Sequence, residues 1–171
     1  MIRYILDTNA VSDLSRQHPN AHLLNWLSVR DMATLAIPAV VVFEIQYGIE
    51  KQRLAGKTTR ADELEAWLET VLGTEQLTVL PAGPEVARMQ ARLFAIPALR
   101  DFFTPHPGST KMKVGVDLVI AAVALVHDAA IVTFNVRDYQ RIHALHPLPG
   151  VMHAGTGEWA VPPQTRPFTP G

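Results

Sequence analysis

The sequence of 171 residues contains no cysteine, which excludes disulfides, zinc–thiolate sites, iron–sulfur clusters and thiol nucleophiles. Any bound metal would therefore need oxygen or imidazole ligands. An excess of charge is also missing, because 15 Lys and Arg residues balance 16 Asp and Glu residues to a net charge of -1. No global basic field attracts nucleic acid, so a polyanionic substrate would need a local basic patch or bound cations.

Long hydrophobic runs are missing as well. The longest apolar stretches, around Val40 and at residues 118–126, are too short to cross a bilayer. The first residues have only a short apolar run before Asp7 and no small-residue cleavage site, unlike a secretion signal. We therefore expect a cytoplasmic protein that does not enter a membrane.

The composition, 48% hydrophobic and 18% charged, is that of a globular domain. One core is expected at this length. We assign residues 1–157 to a single domain and residues 158–171, which hold four prolines, to a proline-rich C-terminal tail. A second proline-containing stretch, residues 97–113, is predicted to be a loop or insertion.

Short apolar runs alternate with amphipathic stretches along the chain. The predicted strands are residues 4–6, 35–37, 77–80, 131–133 and 151–152; the predicted helices are residues 20–29, 39–52, 59–72, 84–96 and 116–127, with one more helix after the fourth strand. This order predicts an α/β fold with a mostly parallel central sheet and helices on both faces.

Four acidic residues stand where core-building alone does not explain them. Asp7 ends the first predicted strand, Glu44 and Asp117 interrupt apolar helical runs, and Asp138 follows the fourth strand. A carboxylate at the end of a strand faces the crevice where open α/β sheets bind ligands. A carboxylate inside an apolar helix needs a partner, because burying it alone is costly. Convergence of all four on a divalent cation satisfies these needs, and carboxylate oxygens favour Mg²⁺ or Mn²⁺.

Each acid also has a simpler interpretation. Asp7 could cap the next helix, and Asp117 could be a first-turn acid favoured by the helix dipole. Glu44 could lie on a solvated helix face, and Asp138 could be an ordinary loop residue. The prediction of a metal site therefore depends on the order and surroundings of the four acids together.

Four segments carry a family resemblance: ILDTN at residues 5–9, FEIQYGI at 43–49, DLVIAAVA at 117–124 and TFNVRDY at 133–139. In this order they resemble the PIN-domain family and, within it, the VapC-type toxins of bacterial toxin–antitoxin systems. The resemblance spans residues 1–150. It implies a PIN-like three-layer sandwich and a Mg²⁺-dependent endoribonuclease, with Mn²⁺ able to substitute, that hydrolyses RNA phosphodiesters by metal-activated water.

The resemblance also implies which residues form the site. Asp7, Glu44 and Asp117 match the first three catalytic, metal-binding acids of the family. Many PIN domains have a further acid at the position of Asn135, where this chain has an amide. We therefore take Asp138, three residues later, as the fourth catalytic and metal-binding carboxylate. Supporting polar positions are Asn9, Thr133 and Asn135.

The implied partners are RNA, a VapB-like antitoxin and a second copy of the chain in a homodimer. An antitoxin helix is expected on the helices at residues 39–51 and 59–72, and the lysine or arginine of the antitoxin would close the acidic pocket. The apolar stripe of the second helix, Leu64, Trp67, Leu68 and Leu72, could instead pack entirely inside the domain.

Two other functions stay open from the sequence. Haloacid dehalogenase-type phosphatases also place Asp after their first strand, but the segment after Asp7 lacks their second acid and their threonine. A PIN-fold protein-binding module with weak or no catalysis is the second alternative, because Asn135 is not an acid.

Basic residues and histidines carry weaker predictions. Lys111, Lys113, Arg137 and Arg141 lie near the acids in sequence and could hold RNA phosphates. A first basic group, residues 51–60, could equally be solvated surface charge. The seven histidines are scattered, and we expect structural or surface roles for them.

Overall fold

The computed structural model describes residues 1–105 and 114–163. The strands are β1 (Tyr4–Leu6), β2 (Leu35–Pro38), β3 (Thr78–Leu80), β4 (Ala130–Thr133), β5 (Val151–His153) and β6 (Trp159–Val161). The α-helices are α1 (Thr8–Asp13), α2 (Ala21–Ser28), α3 (Ala39–Leu54), α4 (Thr58–Leu72), α5 (Pro84–Phe94), α6 (Val116–His127) and α7 (Val136–Leu145). Two 3₁₀ helices cover Met32–Thr34 and Pro97–Phe102.

The six strands form one sheet in the order β3-β2-β1-β4-β5-β6. Neighbouring strands are parallel except β5 and β6, which are antiparallel. The strand order runs outward in both directions from the β1–β4 pair, and such a switch point opens a ligand crevice at the carboxyl ends of the strands. Leu6 lies beside Val132 in the β1–β4 register, so Asp7 and Thr133 emerge together at that edge.

Helix α6 is the most deeply buried helix beside the sheet. Residues 118–124 are all buried, because the helix is built from Leu, Val, Ile and Ala after Asp117. It packs against α3, α5 and α7. A helix enclosed in this way fixes the position of the side chains in its first turn, where Asp117 lies.

The structure confirms the predicted α/β fold with its mostly parallel sheet and surrounding helices. Helix α1 was not predicted as an element, since its six residues are too few to show a helical period. No helix in the described part of the chain is long and apolar enough to span a membrane.

Two segments differ from the prediction. The prediction of a tail from residue 158 is wrong for Trp159–Val161, because these residues form β6 against β5 and bury Val161. The prolines at 162 and 163 follow directly, and they end the strand because proline has no N–H to donate. The predicted loop at 97–113 begins with the 3₁₀ helix Pro97–Phe102, since proline suits a first helical turn. Residues 106–113 and 164–171 of these two predictions lie outside the described residues.

Candidate functional site

Asp7 lies at the carboxyl end of β1, only 2% exposed, and both oxygens of its carboxylate accept hydrogen bonds. Its Oδ1 accepts a hydrogen bond from the Thr8 backbone N–H at 2.7 Å, which also caps α1. Its Oδ2 accepts from the Thr133 hydroxyl at 2.6 Å and from the Asn9 side-chain amide at 2.8 Å. The predicted helix cap at Asp7 is therefore present, and the other carboxylate oxygen is held by side chains at the ends of β1 and β4.

Thr133 and Asn9 tie this carboxylate to the end of β4. The Asn9 carbonyl oxygen accepts from the Phe134 backbone N–H at 2.9 Å, and the Thr133 hydroxyl accepts from the Asn135 backbone N–H at 2.9 Å. These bonds cross from β1 to β4, because the two strands are neighbours and end at the same edge. The network fixes Asp7 and the turn into α7 as one unit.

Three more acids approach this edge from three different helices. Glu44 of α3, Asp117 of α6 and Asp138 of α7 line one cavity of about 360 Å³. Gly115 sits immediately before α6 with a φ of 69°, a left-handed conformation that favours glycine. A Cβ there would come within 2.7 Å of the Phe94 ring, so the entry into α6 also needs a residue without a side chain.

Burial and the charges of neighbouring acids raise the pKa values of Asp7 and Asp117. Burial raises the pKa of Asp7 from 3.8 to about 6, against the hydrogen bonds from Thr133 and Thr8, and the charge of Glu44 raises it further. Burial also raises the pKa of Asp117 to about 7, assisted by the negative charges of Asp7, Asp138 and Glu44. Uncompensated negative charge of this kind favours a bound cation.

Tyr139 lies completely buried between the acids. Burial and the charges of Asp7 and Asp117 raise the pKa of its phenol well above the usual value, so it is neutral. Its hydroxyl is near enough to Asp7 and Asp117 to lower the pKa of both carboxyl groups. Within the described residues it nevertheless has no hydrogen-bond partner. Sequence reasoning assigned Tyr139 no role, although its place directly after Asp138 was a usable signal.

The outer side of the cavity is built from α7 and the 3₁₀ helix Pro97–Phe102. The Asn135 side-chain amide donates to Asp138 Oδ2 at 2.7 Å, so Asn135 directs Asp138. Arg141 lines the same cavity and donates to both carboxylate oxygens of Asp101 at 3.0 Å. The Asp101–Arg141 pair was not predicted, since its members are 40 residues apart in sequence.

The structure brings the predicted acids into one electrostatic cluster rather than into direct contact. Among residues 1–105 and 114–163, no three His, Asp or Glu side chains are arranged to bind an ion directly as they stand. In the first basic group, Arg53 pairs with Glu50, Asp62 and Glu65, and Arg60 pairs with Glu63. Arg137 is exposed on α7. Lys111 and Lys113 lie outside the described residues.

A sequence model described as the PIN domain matches residues 4–144. The chain belongs to the PIN-domain family. The resemblance read from the four sequence segments is thereby confirmed, and the match decides against the haloacid dehalogenase alternative. The acid cluster therefore stands at the carboxyl edge of a PIN-domain sheet.

Curated relatives share most of this PIN domain. Ribonuclease VapC2 of Rickettsia felis is 26% identical over 140 residues, covering 81% of this chain and 91% of that protein. Ribonuclease VapC19 of Mycobacterium tuberculosis is 29% identical over 143 residues, covering 84% and 97%. The plasmid stability protein StbB of Pseudomonas syringae pv. tomato is 40% identical over only 45 residues, so the match spans 32% of its length.

Solved structures show the same fold. The chain matches DNA-bound VapBC from Salmonella typhimurium with a TM-score of 0.62 and 23% identity, over 83% of this chain and 93% of that one. VapBC2 of Rickettsia felis, bound to a DNA fragment from its promoter, matches with a TM-score of 0.59, 23% identity and the same two coverages. At this identity the likeness establishes the PIN fold.

Proposed function

We propose that this PIN-domain protein is a Mg²⁺-dependent endoribonuclease and the toxin of a toxin–antitoxin pair. The observation that carries the proposal is the convergence of Asp7, Glu44, Asp117 and Asp138 from four separate elements on one edge of the sheet. Two near-full-length relatives are named ribonucleases of the VapC type, which supports the same activity here. We place the activity in the cytoplasm, where cellular RNA is available.

The donor chemistry of the four acids suits a hard divalent cation, although their side chains do not meet around one point. The four carboxylates offer oxygen donors, and a cation would relieve the repulsion that, after burial, raises the pKa of Asp117. Asp7, Glu44, Asp117 and Asp138 would hold Mg²⁺ or Mn²⁺, with water completing the contacts that the side chains do not make directly. When bound, the ion supplies Lewis-acid catalysis for phosphodiester hydrolysis.

The chain itself orients the site. Thr133, Asn9 and the Thr8 N–H hold both oxygens of Asp7, so its position is set before any ligand arrives. Asn135 directs Asp138 toward the cavity and is not itself assigned as a ligand. The expected products of water attack at phosphorus are a 3′-hydroxyl and a 5′-phosphate.

An apolar groove that could receive the proposed antitoxin lies beside the acids of this protein. A second cavity of about 360 Å³ lies between α1, α3 and α4 and is lined by Ile45, Ile49, Leu64 and Trp67. Leu68, from the predicted stripe, is only 3% exposed and packs inside the domain. Glu44 lines both cavities, so an amphipathic helix in this groove could bring a basic side chain to the acids. Several solved neighbours are VapBC complexes, which supports a VapB-like partner.

The nuclease activity is tested by RNA cleavage with Mg²⁺, with Mn²⁺ and with EDTA. We expect cleavage with either metal and none with EDTA. Asp7→Asn should retain the fold, because it removes a charge from an acidic cluster, and it should abolish cleavage. Full activity in EDTA would reject the metal-dependent mechanism.

The toxin assignment is tested by expressing the chain alone and with the neighbouring open reading frame. We expect growth arrest from the chain alone, and copurification of a small partner that suppresses both toxicity and nuclease activity. Harmless expression without a copurifying partner would favour a housekeeping nuclease. Sedimentation of the free chain would test the predicted homodimer in the same preparation.

A further inference from the structure

Arg141 is the only basic residue among the described residues that line the acidic cavity. Its neighbours around that cavity include the acids Glu44, Asp117, Asp138 and Asp101. RNA phosphates approaching such a cavity meet repulsion from the carboxylates, which a guanidinium at the rim offsets. The position of Arg141 therefore bears directly on substrate binding.

The contacts of Arg141 hold its guanidinium at the rim. Its Nη2 donates to both Asp101 oxygens at 3.0 Å. Its Nη1 lies 3.8 Å from Asp138 Oδ1, which is beyond hydrogen-bond distance. The guanidinium carbon lies 4.8 Å from the centre of the Phe102 ring, so an aromatic face supports the group from the 3₁₀ helix.

The Asp101–Arg141 pair is open to solvent on both sides. The side chains of Arg141 and Asp101 are 42% and 48% exposed. Exposed ion pairs contribute little to stability, because water screens them and ordering long side chains costs entropy. A phosphate can therefore compete for this arginine, and the planar guanidinium suits two oxygens of one phosphate.

We propose that Arg141 binds a backbone phosphate of the RNA substrate, and that Asp101 holds the guanidinium in place until the phosphate replaces it. This inference rests on the proposed ribonuclease function and adds a substrate-binding residue to it. Phe102 limits how far the guanidinium moves, so the exchange of Asp101 for phosphate keeps Arg141 beside Asp138.

A purely structural role gives a different expectation. In that case the pair fastens the 3₁₀ helix Pro97–Phe102 to α7, and loss of either partner has the same effect. In the proposed role the two partners have opposite effects on RNA affinity, because Asp101 competes with the phosphate that Arg141 binds. The two roles are separated by comparing Asp101→Asn with Arg141→Ala.

The test measures the Kd for a 5′-fluorescein-labelled random 20-nucleotide RNA by anisotropy in EDTA, over a series of salt concentrations. Arg141→Ala should weaken binding about tenfold and reduce the slope of log Kd against log salt by about 0.7, the value for one phosphate contact on a single strand. Arg141→Lys should lie between Arg141→Ala and wild type. Asp101→Asn should bind as tightly as wild type or more tightly.

Arg30→Ala is the matched control. Arg30 is also an exposed arginine over an aromatic ring, with its guanidinium carbon 4.9 Å from the centre of the Trp26 ring. It also lies 5.7 Å from the ring of Tyr4, which begins β1, so it is at the amino ends of the strands and away from the acids. Its removal should leave the Kd close to that of wild type. Thermal melts of all four variants establish that each is folded.

Two results would overturn the inference: Asp101→Asn weakening RNA binding as much as Arg141→Ala, or Arg141→Ala binding no differently from Arg30→Ala. Cleavage of the same RNA by wild type with Mg²⁺ is measured in parallel. Cleavage by wild type with an unaffected Arg141→Ala refutes this inference alone, whereas absence of wild-type binding and cleavage refutes the proposed function.

Discussion

The inner and outer halves of the acidic site are built in different ways. The inner half is Asp7 with Thr133 and Asn9, buried and joined by hydrogen bonds between two adjacent strands. The outer half is Asp138 with Arg141, partly exposed and held by side chains of α7 and a 3₁₀ helix. The fold itself fixes the inner half, while the outer half is free to exchange partners when a ligand binds.

Among the changes that compare the two halves, the largest effect is expected at Asp117, which joins them. It feels the charges of Asp7 and Asp138 and leads the buried helix α6. Asp117→Asn should reduce RNA cleavage by at least about 100-fold, since even residues that only support a metal ligand account for about 10–100-fold. The measurement is the cleavage rate with saturating Mg²⁺. Activity within a few-fold of wild type would remove Asp117 from the site.

The outer half is tested by comparing Asp138→Ala with Asn135→Ala. Asp138 lines the cavity, whereas Asn135 donates a hydrogen bond to it and offers only a neutral oxygen. We expect a loss of at least about 100-fold for Asp138→Ala and a smaller loss, about 10-fold, for Asn135→Ala, which only supports it. The dependence of the rate on Mg²⁺ concentration provides the readout. The reverse order would make Asn135 the fourth ligand.

The inner half is tested by Thr133→Val, which keeps the shape of the side chain and removes its hydroxyl. Asp7 then loses a donor and the Asn135 N–H loses its acceptor. We expect a loss of about 10-fold in cleavage and about 1–3 kcal/mol in the free energy of unfolding. Thr133→Ser is the control, because it retains the hydroxyl. Equal effects of Val and Ser would point to packing instead of the hydrogen bonds.

Much of the inner half was predictable because it follows from local sequence. Asp7 and Thr133 each end a short apolar strand, and adjacent parallel strands place such ends together. Asn9 follows two residues after Asp7, within reach of its carboxylate. The four acids were identified by their unusual positions in apolar surroundings, which the sequence shows directly.

The outer half was less predictable because its contacts are distant in sequence. Nothing near Arg141 indicates that Asp101 is its partner, and the packing of Phe102 beneath the guanidinium depends on the tertiary fold. The orientation of Asn135 toward Asp138 depends on where α7 begins. Strand β6 was missed for a similar reason, since three residues between loops carry almost no period of their own.

The smallest effect is a pH dependence of stability in the metal-free protein. The carboxyl pKa values of Asp7 and Asp117 rise on folding from 3.8 to about 6 and about 7, so the folded state binds more protons than the unfolded state between these values. The stability associated with these groups is complete below about pH 4 and is lost as the pH rises through 6 and 7. In EDTA, Asp117→Asn should therefore melt at nearly the wild-type temperature at pH 4 and several degrees above it at pH 8. Mg²⁺ at pH 8 should raise the wild-type melting temperature and have little effect on Asp117→Asn, because the ion then offsets a charge that the variant lacks. The two proteins differ only at Asp117, so the difference between their melting curves reports on Asp117 and on the acids whose charges act on it. An equal difference at the two pH values would mean that folding does not raise the pKa of Asp117, and that its surroundings stabilise the charge without a cation.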